Sequence, residues 1–152
     1  MPAPFTDLIG TDSFTESLRQ ENLATWLSAT NHRFVAELFD GSIAPQVMAG
    51  YLVQDYRFLD TFLALIGGAI TNADTLAGRL RLSKFAGEIA GDENTYFLRS
   101  FETLGVTEHQ RESMPDTEAT TGFKRLFLDA AASGSYAAIL SVLVVCEGLY
   151  LD

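Results

Sequence analysis

Asp55 is the first residue of this sequence whose placement suggests chemistry, because it is an acid within an apolar helical stripe. The stripe advances in steps of four and three residues and reads Met48, Leu52, Asp55, Leu59, Phe62, Ile66 and Ala69. Tyr51 and Phe58 lie one turn before and after Asp55 on the same face. A carboxylate that faces a core must be paired or hydrogen-bonded. Asp55 could therefore hold the amine of a flat, basic heterocycle between aromatic rings, or it could be a structural acid bonded to another helix.

Glu147 is a second acid in an apolar helical stripe, close to the end of the chain. This stripe also advances by four and three residues and reads Tyr136, Leu140, Leu143, Glu147 and Tyr150. Burial raises the pKa of a carboxylic acid, which would suit Glu147 to general acid/base catalysis, whereas a salt bridge to Arg57 or Arg99 is the structural alternative. Cys146 would be a nucleophile only if a base or cation lowered its pKa, and otherwise a small apolar filler.

The remaining titratable residues give no metal-site pattern. His32 and His109 are the only histidines, and no Glu-x-x-His pair exists, so the di-iron bundle signature is missing. His32 could in principle bind haem, but we expect a hydrogen-bonded structural role, and we expect His109 to be solvated. Glu88, Asp92 and Glu93 are read as a solvated face rather than a metal site.

These candidates are positioned by helices, because helical periodicity runs through almost the whole sequence. Three helices are expected in the first half: one capped by Asp12-Ser13 that continues past Trp26, a short one over residues 33–39, and a long one from Pro45 to about Thr71. A helical stretch then runs from 74 or 75 to Leu104, where Gly105 ends it. A loop over 106–116 with one short turn follows, and then helices over 117–132 and from 136 to the end. Gly87 and Gly91 suggest a break, and Gly67-Gly68 a close helix contact. Short connections between long helices predict an all-α, up-and-down bundle.

The end of the chain suggests that part of the core lies outside this sequence. The helix from Tyr136 is apolar all round, which predicts burial on every side, yet the sequence stops at Leu151-Asp152 without a capping residue. We expect one helical domain over residues 1–152 that is incomplete at its C-terminus. The alternative is a short protein that buries this helix in an oligomer.

Charge and composition exclude several classes of partner. The net charge of −10 and a pI of about 4.5 disfavour binding to nucleic acids and to anionic membranes. One cysteine cannot form an internal disulfide, the N-terminus lacks the basic and apolar regions of a signal peptide, and the longest apolar run is too short to span a bilayer. The expected compartment is the cytoplasm.

Five ordered segments resemble the TenA/thiaminase-II family, whose fold is like that of haem oxygenase. They are His32-Arg33-Phe34, Leu38-Phe39-Asp40-Gly41-Ser42-Ile43, the stretch Tyr51 to Leu59 with its Gln54-Asp55 pair, Glu93 to Val106, and Cys146-Glu147-Gly148-Leu149-Tyr150. The resemblance implies that Asp55 binds an aminopyrimidine and that Tyr51 and Phe58 line its pocket. It also places Cys146 at the nucleophile position and Tyr150 at the nearby tyrosine. It implies no metal or organic cofactor and a homo-oligomer, typically a tetramer.

Two departures from the family pattern affect the catalytic assignment. The usual Pro-Cys motif is replaced by Val145-Cys146-Glu147-Gly148, which is more similar to the branch that uses a glutamate and salvages formylamino- and amino-pyrimidines. The C-terminal catalytic glutamate of the family has no counterpart before Asp152. The leading expectation is an aminopyrimidine hydrolase or amidohydrolase of thiamine salvage or degradation. The alternatives are a non-catalytic pyrimidine-binding or regulatory protein, and a haem- or metal-dependent bundle of the same fold.

Overall fold

The computed structural model describes residues 10–151, and this range contains nine α-helices, one π-helical segment and no strand. The helices are α1 Phe14–Glu21, α2 Leu23–Thr30, α3 Arg33–Phe39, α4 Pro45–Asn72, α5 Leu76–Glu88, α6 Asn94–Leu104, α7 Glu108–Ser113, α8 Glu118–Ala132 and α9 Tyr136–Leu151, and the π segment Ile89–Glu93 joins α5 to α6. The predicted all-α class is confirmed.

Local capping explains most of the helix boundaries. The side chains of Ser13, Thr75 and Thr117 each accept a hydrogen bond from the backbone three residues later, at 3.1 Å in all three cases. Gly105 ends α6 in the left-handed conformation with φ of 68°. The boundaries predicted at these residues are confirmed.

Two predicted elements differ in the structure. The single helix expected to run past Trp26 is broken at Asn22, whose side-chain amide donates to the Leu18 carbonyl at 2.9 Å and whose ψ is 17°. Asparagine competes with the helical ladder in this way, and the chain restarts as α2. The expected loop over 106–116 contains the six-residue helix α7, which Thr107 and Gln110 start with a capping box.

The described residues form two compact units, one of residues 10–43 with 141–151 and one of residues 44–140. In the first unit α1 packs on α2. Glu16 is buried there, and its carboxylate accepts hydrogen bonds from Arg19 and Gln20 of the same helix. Trp26 supplies the buried aromatic ring of α2. The single domain expected from the sequence remains a prediction.

In the second unit α4 is the central helix and packs on α5, α6 and α8. Five residues of the predicted apolar stripe are buried, namely Leu52, Leu59, Phe62, Ile66 and Ala69. Each large aliphatic or aromatic side chain buried in this way stabilises the fold by about 1.5–3 kcal/mol before entropic costs. The stripe therefore marks the core face of α4, as predicted.

Aromatic and small-residue contacts give the directions of these helices. Phe62 contacts Phe85 of α5, and Tyr56, which lies earlier on α4, contacts Phe97 of α6, which lies later in the chain. The α5–α6 arm is thus antiparallel to α4.

Contacts between α4 and α8 run in the same order along both helices. Phe58 contacts Phe123, and further along α4 a Cβ added to Gly68 would lie 3.1 Å from the Ala131 Cα. The two helices are therefore parallel, which confirms the up-and-down arrangement within residues 44–140. The close approach predicted for Gly67-Gly68 is confirmed at Gly68 and wrong at Gly67, where nothing lies within 4 Å of an added Cβ.

The break predicted near Gly87 and Gly91 is a π-helical turn within a continuous helical arm. It covers Ile89–Glu93, and Ile89 is fully buried. Thr95 donates its hydroxyl to the Gly91 carbonyl at 2.7 Å, which gives that carbonyl a partner where the regular ladder is interrupted. Such turns are rare and are often found at functional sites.

Within the described residues α9 is only partly covered, and its burial on every side remains a prediction. Ile139 and Leu143 are buried, but Val145 is 52% exposed and Tyr150 68%. Neighbouring helices cover only part of the α9 surface. Among the described residues, no helix is long and apolar enough to cross a membrane.

Candidate functional site

Asp55 lies on α4 between two buried leucines, Leu52 and Leu59, and is itself part-buried. Tyr51 and Phe58, its neighbours on the same face, are also part-buried. The Phe58 ring stacks on the ring of Phe123 with their centroids 5.9 Å apart. This aromatic contact holds the Phe58 side chain against α8. Asp55 thus shares one face of α4 with two aromatic residues, as the spacing predicts. Its contact with their rings and its role in binding a ligand remain predictions.

Glu93 is the acid that the structure places beside Asp55. It is the last residue of the π segment and is exposed overall. Burial of the carboxyl group and the negative charge of Asp55 both raise the pKa of Glu93. Asp55 on α4 and Glu93 on the π segment are thus two acids whose charges interact, and this interaction favours the protonated form of Glu93.

Glu93 is not predicted as a companion of Asp55 by its spacing in the sequence. With Glu88 and Asp92 it was expected to form a solvated face, and all three residues are exposed. The only sequence signal near Glu93 was the suggestion of a helix break at Gly91. A predicted helix break does not indicate which side chain near it lies close to α4.

Tyr56 holds the two acid-bearing elements together. Its hydroxyl donates to the side-chain oxygen of Asn94 at 3.0 Å, and Asn94 follows Glu93 directly. Its ring packs on Phe97 and Phe101 with centroid distances of 5.3 and 5.5 Å. The tyrosine next to Asp55 is therefore bonded to the residue next to Glu93, which aligns α4 with the start of α6.

Two open hollows lie near this site in the second unit. The first, about 450 Å³, lies between α4 and α6 and is lined by Met48, Leu52, Asp92, Thr95, Tyr96, Arg99, Ser100, Thr103 and Leu104. The second, about 490 Å³, lies beside the start of α4 and includes Gly50, Val53 and Met114. Tyr51, Asp55 and Phe58 line neither hollow. The enclosed pocket expected beside Asp55 remains a prediction.

The three site candidates of α9 belong to the other compact unit. Cys146 is part-buried, and burial together with the negative charge of Glu147 raises its pKa to about 11. This direction is opposite to the one that activates a cysteine nucleophile. Glu147 is part-buried, whereas Tyr150 is largely exposed. Arg57, one suggested salt-bridge partner of Glu147, is paired with Asp116.

Neither histidine takes part in a cluster of metal-binding side chains. His32 caps α3 by accepting the backbone N–H of Phe34 on Nδ1 at 3.1 Å, which confirms the expected hydrogen-bonded role. His109 is exposed, on α7 rather than in a loop. Across residues 10–151, no group of three or more histidine, cysteine, aspartate or glutamate side chains could hold a metal ion.

Comparison with known proteins places this architecture among TenA-like proteins. The sequence profile of the TENA/THI-4/PQQC family matches residues 19–152. An aminopyrimidine aminohydrolase of Bacillus subtilis is 23% identical over 139 residues, which cover 91% of this chain and 59% of that protein. An uncharacterized protein of Haemophilus influenzae is 24% identical over 131 residues, which cover 86% of this chain and 60% of its own length.

A solved structure gives the same result for the fold. The crystal structure of a TenA family transcription regulator from Silicibacter sp. TM1040 superposes with a TM-score of 0.82 at 25% identity, over 90% of this chain and 61% of that one. The chain thus spans about 60% of the length of these relatives. The predicted TenA-like fold is confirmed.

Proposed function

Because the chain belongs to the TENA/THI-4/PQQC family, we propose that it binds an aminopyrimidine through Asp55 and Glu93 and hydrolyses a C–N bond of that ligand in thiamine salvage or degradation. The observation that carries the proposal is the placement of Asp55, which is part-buried on the core-facing stripe of α4 between Leu52 and Leu59, and whose negative charge reaches Glu93 on the π segment. The aminopyrimidine aminohydrolase among the relatives supports the choice of ligand and reaction. Homo-oligomerisation, as a tetramer, is part of the proposal.

A pair of carboxyl groups that shares one proton matches the edge of an aminopyrimidine. The exocyclic amine of the ring donates a hydrogen bond, and the adjacent ring nitrogen accepts one. In the proposed complex the Asp55 carboxylate accepts from the amine, and the Glu93 carboxylic acid donates to the ring nitrogen. Because the negative charge of Asp55 raises the pKa of Glu93, the glutamate keeps its proton to a higher pH than an isolated glutamate. Tyr51, Phe58 and Tyr150 complete the proposed substrate-binding set.

For the hydrolytic step we assign Glu147 as the general acid and base. Water attacks the carbon that carries the leaving amine and gives one proton to the Glu147 carboxylate, the C–N bond breaks with its electron pair on nitrogen, and Glu147 passes the proton to the departing nitrogen. The products are an alcohol and an amine. Cys146 is the alternative nucleophile, and this role requires its pKa to fall from about 11 when substrate is bound.

A ligand titration tests the binding half of the proposal. We expect amino-hydroxymethylpyrimidine to bind the wild type, and Asp55→Asn to weaken binding about 10- to 150-fold, since a hydrogen bond to a charged group is worth about 1.5–3 kcal/mol. Asp60→Asn is the matched control, because Asp60 is an exposed aspartate on the same helix. Equal affinity in the wild type and Asp55→Asn would refute the anchoring role. The catalytic roles are tested by the rate at which an aminomethylpyrimidine is hydrolysed. A rate equal to that of the wild type in both Glu147→Gln and Cys146→Ala would refute these roles.

A non-catalytic pyrimidine-binding protein is the second candidate. The raised pKa of Cys146 favours it, because an unactivated thiol leaves the nucleophile position without chemistry. The solved relative is described as a transcription regulator, which agrees with a binding role. Thermal stabilisation by an aminomethylpyrimidine, which still carries the C–N bond to be broken, with no product after prolonged incubation would select this candidate.

A further inference from the structure

We propose that Gln54 is a positioning residue for the Asp55–Glu93 pair, because its side chain fastens the connection between α7 and α8 to α4 immediately beside Asp55. The inference rests on the proposed function, in which Asp55 anchors the ligand. Gln54 itself is assigned no contact with the ligand.

The Gln54 amide bonds to the start of α8 through both of its ends. Its nitrogen donates to the Pro115 carbonyl at 3.0 Å. Its oxygen accepts from the Thr117 backbone N–H at 3.0 Å and from the Thr120 hydroxyl at 2.7 Å. Thr120 is only 3% exposed. A side chain must offer a donor and an acceptor together to make these three bonds, and a neutral amide is the group that does so.

Arg57, one turn after Gln54, binds the same segment from its other side. Its guanidinium pairs with Asp116 at 2.6 Å and also donates to the carbonyl groups of Arg111 and Met114. Lys124 holds the second oxygen of Asp116 at 3.0 Å. The α4 residues on both sides of Asp55 in sequence are therefore bonded to residues 111–120.

These bonds fix the rotation of α4 about its own axis. Gln54 and Arg57 are three residues apart and face α8, while Tyr56 bonds to Asn94 on α6. Asp55 lies between these anchors, about 100° around the helix from Gln54. A carboxylate about 6 Å from the helix axis moves roughly 1 Å for a 10° rotation, and a displacement of that size can cost a reaction about 100-fold. Loss of the Gln54 amide would thus misplace Asp55 without touching it.

The test compares Gln54→Ala with Gln46→Ala, an exposed glutamine on the same helix. We expect Gln54→Ala to bind amino-hydroxymethylpyrimidine at least 10-fold more weakly than the wild type and to exchange the amide hydrogens of residues 117–120 faster. Gln46→Ala should match the wild type in both measurements. Thr120→Val is the second variant, since it removes one of the three bonds with little change of shape and lies on α8, and it should weaken binding by a smaller factor.

The outcomes separate a positioning role from a purely structural one. If Gln54→Ala and Thr120→Val lower stability in urea but their folded forms bind the pyrimidine as tightly as the wild type, the positioning role is overturned. If the wild type does not bind the pyrimidine, or if Asp55→Asn binds as tightly as the wild type, the proposed function fails first. The ranking wild type, Thr120→Val, Gln54→Ala in affinity, with Asp55→Asn also impaired, would support both.

Discussion

Replacing Glu93 by glutamine is expected to make the protein more stable at neutral pH, because glutamine resembles the protonated acid and cannot ionise. Burial and the charge of Asp55 raise the pKa of Glu93 in the folded state. Below the ordinary pKa of 4.5 the residue is protonated in both the folded and unfolded states and costs nothing. As the pH rises through the raised pKa, the unfolded chain ionises more readily, so wild-type stability falls. Glu93→Gln cannot ionise and escapes this loss.

The size of the gain is limited because Glu93 is exposed. Water screens the repulsion between two partly exposed carboxylates, and neighbouring like charges on helices cost about 0.2–0.5 kcal/mol. We therefore expect Glu93→Gln to raise the free energy of unfolding by about 0.5 kcal/mol at pH 7.5, which corresponds to a rise of roughly 1–2 °C in Tm for a chain of this size. The difference should vanish at about pH 4.

Urea unfolding at both pH values measures this effect, and a double-mutant cycle with Asp55→Asn identifies its source. Glu102→Gln is the matched control, because Glu102 is an exposed glutamate on the adjoining helix α6. The gain from Glu93→Gln should shrink once Asp55 is already asparagine. If Glu93→Gln equals Glu102→Gln at both pH values, or if the cycle is additive, the two carboxyl groups do not interact.

Two further predictions concern the thiol and the helix contact. The pKa of Cys146 is raised from 9.0 to about 11, which lowers the fraction of reactive thiolate. Alkylation of this thiol by iodoacetamide at pH 8 should therefore be roughly 100-fold slower in the folded protein than in urea. Equal alkylation rates would contradict the burial of the thiol. Gly68→Leu should lower the free energy of unfolding by about 1–3 kcal/mol, since Ala131 leaves no room, whereas its neighbour control Gly67→Ala should raise it by about 0.5–1 kcal/mol, and unfolding curves that rank the other way would refute the contact.

Helix positions were largely predictable from the sequence, because they depend on residues close in the chain. Ser13, Thr75 and Gly105 start or end helices through bonds within three or four residues, or through the conformational freedom of glycine. The break at Asn22 was missed because the apolar pattern continues across it. The break depends on a side-chain bond to the preceding turn, which periodicity does not reveal.

The candidate site was only half predictable, for a different reason. The position of Asp55 in an apolar stripe is a property of one helix and can be read from spacing alone. Glu93, whose pKa Asp55 raises, lies 38 residues later in the chain, and the alignment of α4 with its segment includes a hydrogen bond from Tyr56 to Asn94. The bonds of Gln54 likewise join residues 61 to 66 positions apart. Such pairings depend on how helices are aligned in three dimensions, and one sequence carries no signal for that alignment.

The π-helical turn at Ile89–Glu93 is a place where this arm carries one residue more than a regular helix would. A π turn closes with i→i+5 hydrogen bonds, so its five residues complete about the rotation that four residues complete in an α-helix. Deleting one residue within the turn would let the arm wind as a single regular helix while Phe97 and Phe101 keep their buried faces, whereas the same deletion within α5 would turn both rings by about 100°. The glycine- and acid-rich turn is therefore the part of the arm where a change of length disturbs the core least.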